Sequence, residues 1–168
     1  MHTASPQPDL AGLGRLRVLA DLDLDNPQLR ARLNVIAERT ANRLGQPVSL
    51  ISLVTDLAQF FPGSYGLDGW LAEVEGTPAE WSFCARMVET RAPYVVPDTV
   101  NDRDQATNPL VTDDGVASYA GVPIVVDGEV LGAHCVLGKT PHDYTDEEMA
   151  ELTRGAEEIV ALLEEYLD

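Results

Sequence analysis

SYAGVPIVVDGEVLGAHCVLG, residues 118–138, is the stretch whose reading decides the fold. Two apolar runs rich in β-branched residues meet at Asp127-Gly128. That dipeptide tolerates the positive φ angles of a two-residue type I′ turn, so the stretch predicts a β-hairpin. Counting outward from the turn in simple alternation sets Val126 opposite Glu129, Ile124 opposite Leu131, Val122 opposite Ala133 and Ala120 opposite Cys135. The other face then carries Tyr119, Gly121, Pro123 and Val125 against Val136, His134, Gly132 and Val130. In this register His134 looks onto the glycine-lined side of the hairpin, and Cys135 onto the opposite side.

The flanking sequence supplies the rest of a layered domain. After the hairpin, Thr145 and Glu148 form a T-x-x-E capping box, and Met149, Leu152, Ala156, Ile159, Leu163 and Tyr166 recur as one face of a terminal helix. Near the other end, Asn26 caps a helix that takes Pro27 at its first position. That helix repeats Leu29, Leu33, Ile36, Thr40 and Leu44 on one face and stops at Gly45. VSLISLV, residues 48–54, reads as a strand buried on both faces. AQFFPGSYG follows a turn at Thr55 and Asp56 as its antiparallel partner, with Pro62 marking an end or an exposed edge. Residues 66–79 read as a turn-rich connection that Trp70 and Leu71 fold back onto the body, followed by a short helix over 82–90 and a short strand over 94–96. Residues 97–115 read as an extended loop with one helical turn. The predicted fold class is α+β: an antiparallel sheet with the terminal helices on one face and the middle segments over the other. Residues 1–25 are expected to be a partly disordered arm in which only Leu13, Leu16 and Leu19 hint at a helix, and residues 26–168 a single domain.

Charge and composition exclude several classes of function. With 28 acidic against 11 basic residues in a chain of 168, the net charge is −17, which repels nucleic-acid backbones and anionic membranes. No apolar run approaches the roughly 20 residues of a membrane span, and MHTASPQPDL lacks the pattern of a secretory signal. A cytoplasmic location is expected, with no nucleic-acid and no membrane partner. The only cysteines, Cys84 and Cys135, are too few and too poorly spaced for a zinc ribbon or a disulfide scaffold.

Catalytic motifs are missing as well. There is no GxGxxG, no GxxxxGK[ST] and no GxSxG elbow. His2, His134 and His142 have no metal-ligand spacing, so no metal is expected; for His134 an interior histidine satisfied by a hydrogen bond is a plainer reading than a haem ligand. Cys84 falls in the first turn of the predicted short helix, where a helix dipole favours thiolate, but no base lies near it in sequence. It reads first as a packed residue, then as pocket lining, and last as a nucleophile; Cys135 leans further toward packing. The free N–H groups at the helix start, with Trp81 and Phe83 as an apolar wall, can receive a small polar ligand. Asp98, Asp102 and Asp104 read as turn-forming residues of the long loop.

Taken together, SFC at 82–84, VVPD at 95–98, NPLV at 108–111, YAGVP at 119–123, the Asp-Gly turn, LGAHCV at 131–136 and the T-x-x-E helix start resemble the GAF domains of bacterial signalling proteins. The resemblance implies an antiparallel sheet of about six strands with a small-molecule pocket on the side away from the terminal helices. It points to Trp81, Ser82, Phe83, Cys84, Asp98, Asn108, Tyr119, Gly121 and His134 as candidate pocket residues, with Cys84 and Cys135 as redox candidates and no catalytic residue. The N-K-x-F-D-E pattern of cyclic-nucleotide binders is absent, since Asp102, Arg103 and Asp104 follow Asn101. So are a bilin-attachment cysteine and the G-x-x-x-C-G motif of the free methionine-(R)-sulfoxide reductases. The function expected by resemblance is a stand-alone sensory module, not an enzyme, that binds an unidentified small molecule and signals through a homodimer or a partner protein, with Leu24, Leu162 and Leu167 as outward apolar residues. The alternatives are a thiol-based redox sensor or reductase using Cys84 and Cys135, and a dimerisation module without a ligand. Neither cofactor nor ligand is identifiable from these residues.

Overall fold

The structure is a computed structural model that describes residues 12–55, 58–67, 76–78, 83 and 85–167. From Gly12 onward the hint in Leu13, Leu16 and Leu19 becomes a helix, α1 (Leu13–Asp21), which buries Arg15 and Leu19. The next helix, α2 (Pro27–Leu44), is bounded as its end residues dictate. The Asn26 side chain accepts from the backbone N–H groups of Gln28 and Leu29 at 2.9 and 3.2 Å, and Gly45 closes the helix in the left-handed region at φ 65°. Leu29, Leu33, Ile36, Ala37, Thr40, Ala41 and Leu44 form its buried face.

Among the described residues six strands follow the chain as β1 (Val48–Val54), β2 (Ala58–Tyr65), β3 (Gly76–Pro78), β4 (Tyr94–Val96), β5 (Ser118–Val126) and β6 (Glu129–Gly138). They form one antiparallel sheet in the order β3-β2-β1-β6-β5-β4. All seven residues of β1 are buried, as expected for a strand covered on both faces. Pro62 lies inside β2, where the register with β1 shifts, and beyond the residues that pair with β3. It therefore costs no hydrogen bond of a central ladder. β3 lies within residues 66–79, where the sequence predicts only a connection, because GTP offers neither alternation nor β-branched density.

The hairpin turns at Asp127 and Gly128, whose φ angles of 52° and 77° fit a type I′ turn. Its register differs from simple alternation. Val126 pairs with Glu129 and Val125 with Val130, but Ile124 pairs with Gly132, leaving Leu131 as the extra residue of a β-bulge. Every pair beyond it is displaced by one: Pro123 with Ala133, Val122 with His134, Gly121 with Cys135, Ala120 with Val136. A one-residue slip exchanges the two faces of a strand. His134 is consequently on the helix side of the sheet and Cys135 on the other, the reverse of the expected arrangement.

α1, α2 and the terminal helix α5 (Asp146–Glu165) cover one face. Leu152, Ala156, Ile159 and Leu163 of α5 are buried as predicted, and Thr145 and Glu148 make both bonds of the capping box. Leu162 is buried in this layer, and Leu24 and Leu167 pack against the same cluster. They do not present an outward apolar stripe, because a bridge between Leu22 and Leu167 ties the end of the chain to the segment after α1. On the opposite face lie α3 (Ala85–Thr90), a 3₁₀ turn at Thr99–Asn101 and the short helix α4 (Pro109–Thr112), which enclose a second apolar cluster with β1, β2, β5 and β6. No helix among the described residues is long and apolar enough to cross a membrane.

Candidate functional site

Alternation along the central strands builds a cavity on the face away from α2 and α5. In β1, Leu50 and Ser52 turn to this side while Ile51 and Leu53 join the helix-side core. β6 contributes Cys135 and Leu137, placed here by the bulge at Leu131. β2 adds Gln59 and Phe61, and Tyr119 comes from β5. Leu67, Phe83, Leu110 and Val116 close the space from the other side. The cavity is about 20 Å³, close to the space of one water molecule. Among the described residues no lining side chain carries a charge; Ser52, Gln59 and the Tyr119 hydroxyl are the main polar groups.

Phe83 and Tyr119 form the aromatic part of the wall, stacked with ring centroids 4.5 Å apart and planes 14° from parallel. Tyr94 meets Tyr119 at 5.9 Å in a tilted arrangement. Gly121 makes room for this: a Cβ there would lie 2.5 Å from the Tyr119 hydroxyl oxygen and 3.1 Å from Cys135 Cβ. The glycine thus sets the direction of the Tyr119 ring.

Polar contacts hold the covering loop in place. Thr99 donates through its hydroxyl to the Val116 carbonyl at 2.6 Å. The Asn108 carbonyl oxygen caps α4 by accepting from Leu110 N–H at 2.9 Å, while its amide donates to Gln105 Oε1, also at 2.9 Å. Gln105 in turn donates to the Tyr94 hydroxyl at 3.0 Å. Burial pushes the Tyr94 phenol above its ordinary pKa, against the pull of Gln105 and Arg86. Arg86 sits 4.9 Å over the Tyr94 ring and pairs with Asp104 at 2.8 Å. Asp98 is half-buried and accepts from the Asn101 amide at 2.7 Å.

The predicted pocket residues therefore divide. Phe83 and Tyr119 line the cavity and Gly121 shapes it. Asn108 and Asp98 act in the cover as cap and turn partners rather than as cavity wall. Trp81, Ser82 and Cys84 lie outside the described residues, as do Trp70 and Leu71. His134 is corrected: it is fully buried under α5, with its Nδ1 3.0 Å from the Leu152 carbonyl oxygen. Burial lowers its pKa to about 4, against the opposing effect of that hydrogen bond, and Arg39 lowers it further. Cys135 is buried in the cavity wall, and its pairing with Cys84 falls outside the described residues. Among the described residues no cluster of three or more metal-ligating side chains occurs. Ser52 and Gln59 were missed in the sequence. Their signal was a polar residue at a cavity-facing position of an otherwise apolar strand.

The sequence pattern of the GAF domain matches residues 28–163, most of the chain. The chain belongs to the GAF domain family. The fold is shared with the GAF domain of a phosphoenolpyruvate-protein phosphotransferase from Coxiella burnetii, at TM-score 0.69 and 17% identity over 90% of this chain and 93% of that one. It is shared equally with a type II free methionine-R-sulfoxide reductase from Thermoplasma acidophilum, at TM-score 0.69 and 13% identity over 86% and 98% of the two chains. These likenesses concern the fold alone. In sequence, the chain is 33% identical over 97 residues to a cyclic di-GMP phosphodiesterase of Pseudomonas aeruginosa, a match covering 56% of this chain and 16% of that protein. The expectation that the chain is not an enzyme is corrected by this match, because the relative is itself an enzyme.

Proposed function

We propose that this GAF domain is a sensory, regulatory module in which a small molecule occupying the cavity behind Tyr119 and Phe83 alters the packing of α5 and α2, and that this change governs a catalytic or signalling unit through a second copy or a partner protein. The observation that carries the reading is the two-sidedness of β6. Cys135 and Leu137 belong to the cavity wall, while His134 and Val136, the residues between and beside them, pack against the helix layer. A shift of this strand toward or away from a ligand is thus felt directly at α5. Kinship with a phosphodiesterase of which the matched part is a minor fraction supports a regulatory place beside catalysis. The family's sensory character, carried on an apolar pocket with a few polar groups, supports the ligand.

Native mass spectrometry of freshly purified protein, followed by hydrogen exchange with and without the retained molecule, tests the reading. A retained small molecule that slows exchange in β6 and α5 is expected. A protein that retains nothing, and whose α5 exchange is indifferent to everything that binds the cavity, refutes it.

A further inference from the structure

We infer that residues 139–145, the connection from β6 to α5, act as a strap that passes movement of the cavity's cover to the first turn of α5, with His142 as its joint. The inference rests on the sensory reading above and adds a route from the cavity to the helices that runs around the end of the sheet. The cavity has room for about one water molecule, so a larger occupant has to displace part of its wall. The lining residues of β1, β2, β5 and β6 are held in the ladders of the sheet, whereas Leu110 and Val116 stand on the covering segment between β4 and β5. These two can yield without breaking a ladder.

A continuous line of hydrogen bonds leads from these two residues to α5. Val116 N–H donates to the Leu110 carbonyl at 3.1 Å, and the Thr99 hydroxyl to the Val116 carbonyl at 2.6 Å. Thr99 N–H donates to the Ala117 carbonyl at 3.0 Å, and Ala117 N–H to the Gly138 carbonyl at 2.8 Å, at the end of β6. The strap itself is then fastened to the cover. Lys139 Nζ donates to the Asp114 carbonyl at 3.0 Å, His142 N–H donates to the Pro97 carbonyl at 2.9 Å, and the Tyr144 and Ser118 hydroxyls lie 3.0 Å apart. Gly138 permits this close approach, since a Cβ there would run into Ser118 Oγ and lie 2.6 Å from Gln46 Oε1. His142 joins the two ends. Its backbone holds Pro97, and its Nε2 donates to Glu148 Oε1 at 3.0 Å, the same carboxylate oxygen that accepts from Thr145 N–H at 2.9 Å in the capping box of α5. Its ring meets Tyr144 edge-on at 4.5 Å, which fixes its direction. A shift of the cover at Val116 is thus handed through contiguous bonds to the residue that closes the first turn of α5.

Amide hydrogen exchange of the full chain, followed residue by residue by NMR at constant pH, tests the strap without a ligand. Thr99→Val removes the hydroxyl that holds Val116 and loosens the cover while keeping the side chain's shape. It is expected to speed exchange at Val116 and Ala117, and also at Glu148 and Met149 in the first turn of α5, by at least about fivefold, the lower end of coupling between sites. In a His142→Ala background the same change should still speed Val116 and Ala117 but leave Glu148 and Met149 unaffected. Coupling is reciprocal, so Thr145→Ala, which frees the start of α5, is expected to speed Thr99 and Ala117 when His142 is present and not when it is alanine. Ala37 and Ile159, buried away from the strap, report opening of the whole fold. A variant that speeds them by the same factor as Glu148 and Met149 overturns the strap, as does a loosened cover that leaves α5 unchanged, or coupling that survives His142→Ala. Any of these leaves the sensory reading to the β6 route alone. A protein that retains nothing in native mass spectrometry removes the sensory reading instead, and leaves the strap as a property of the fold.

Discussion

Replacing His134 with Gln tests how the helix layer is held to the sheet. The Leu152 carbonyl can only accept, so Nδ1 of His134 carries the proton that bonds it at 3.0 Å, and Nε2 is left bare, buried and without a partner. Protonation would put a charge and an unpaired donor into a site fully closed to water. Arg39 on α2 opposes that charge while Glu151 and Glu158 on α5 favour it, and burial outweighs them all, setting the folded pKa at about 4 against 6.5 for the free side chain. The depressed value fixes the sign. Above pH 6.5 the residue is neutral in both states and its contribution is complete; as pH falls from 6.5 toward 4 the unfolded chain takes up the proton first and stability is lost. At 1.36 kcal/mol per unit, the loss approaches roughly 2 kcal/mol between pH 6.5 and 5. Glu148 and Glu151 do not confuse this window. Burial raises each, but bonds from Thr145 and His142 to Glu148, and from Arg154 and Arg43 to Glu151, hold both below the usual carboxylate range. Urea denaturation of wild type and His134→Gln at half-unit steps from pH 7.5 to 5 gives the difference directly, and His142, common to both proteins, cancels. The wild type is expected to lose about 2 kcal/mol more than the variant over that window. Parallel stability curves for the two proteins would show that His134 is protonated in the folded state, and the account of a neutral buried imidazole would fail.

Two further substitutions test neighbouring parts of this layer. A Cβ at Gly155 would lie 2.4 Å from His134 Cε1, so Gly155→Ala is expected to destabilise by about 1–2 kcal/mol despite the better helix propensity of alanine. In a His134→Ala background the same change should become stabilising by about 0.5–1 kcal/mol, and a double-mutant cycle in urea that returns additive effects would contradict the contact. Thr145→Ala removes the hydroxyl that accepts from Glu148 N–H at 3.1 Å and should cost about 1 kcal/mol, measured as a shift in urea midpoint at constant m-value.

The helices were legible in the sequence because their ends carry chemistry: Asn26 and Pro27 at one end of α2 and Gly45 at the other, Thr145 and Glu148 at the start of α5. The Asp127-Gly128 turn was legible for the same reason. The bulge at Leu131 was not. An extra leucine in an apolar strand changes neither composition nor apparent alternation, and its presence depends on how β5 and β6 fit the sheet around them. This one residue moved His134 out of the candidate pocket and Cys135 into its wall. Phe83 and Tyr119 could be anticipated from their motifs, whereas Ser52 and Gln59 became visible only once the register of β1 and β2 assigned a face to each residue.

The bulge also explains why a ligand cavity and a helix interface can share one strand. Without it, Gly121 would face His134, and the room beside the Tyr119 ring would be filled by an imidazole with a bonding demand of its own. With it, the glycine meets Cys135, whose short thiol leaves the cavity open, and the imidazole passes to the other layer, where Gly155 offers the space its ring needs. Gly132, the residue after the bulge, cannot be enlarged to relax this choice, because a Cβ there would lie 1.9 Å from the Ser52 carbonyl oxygen of the adjacent strand. β1 and β6 are thereby held close where Ser52 turns into the cavity wall. The polar edge of the cavity and the His134 contact with α5 depend on the same backbone approach, so a displacement at one has no slack in which to be absorbed before it reaches the other.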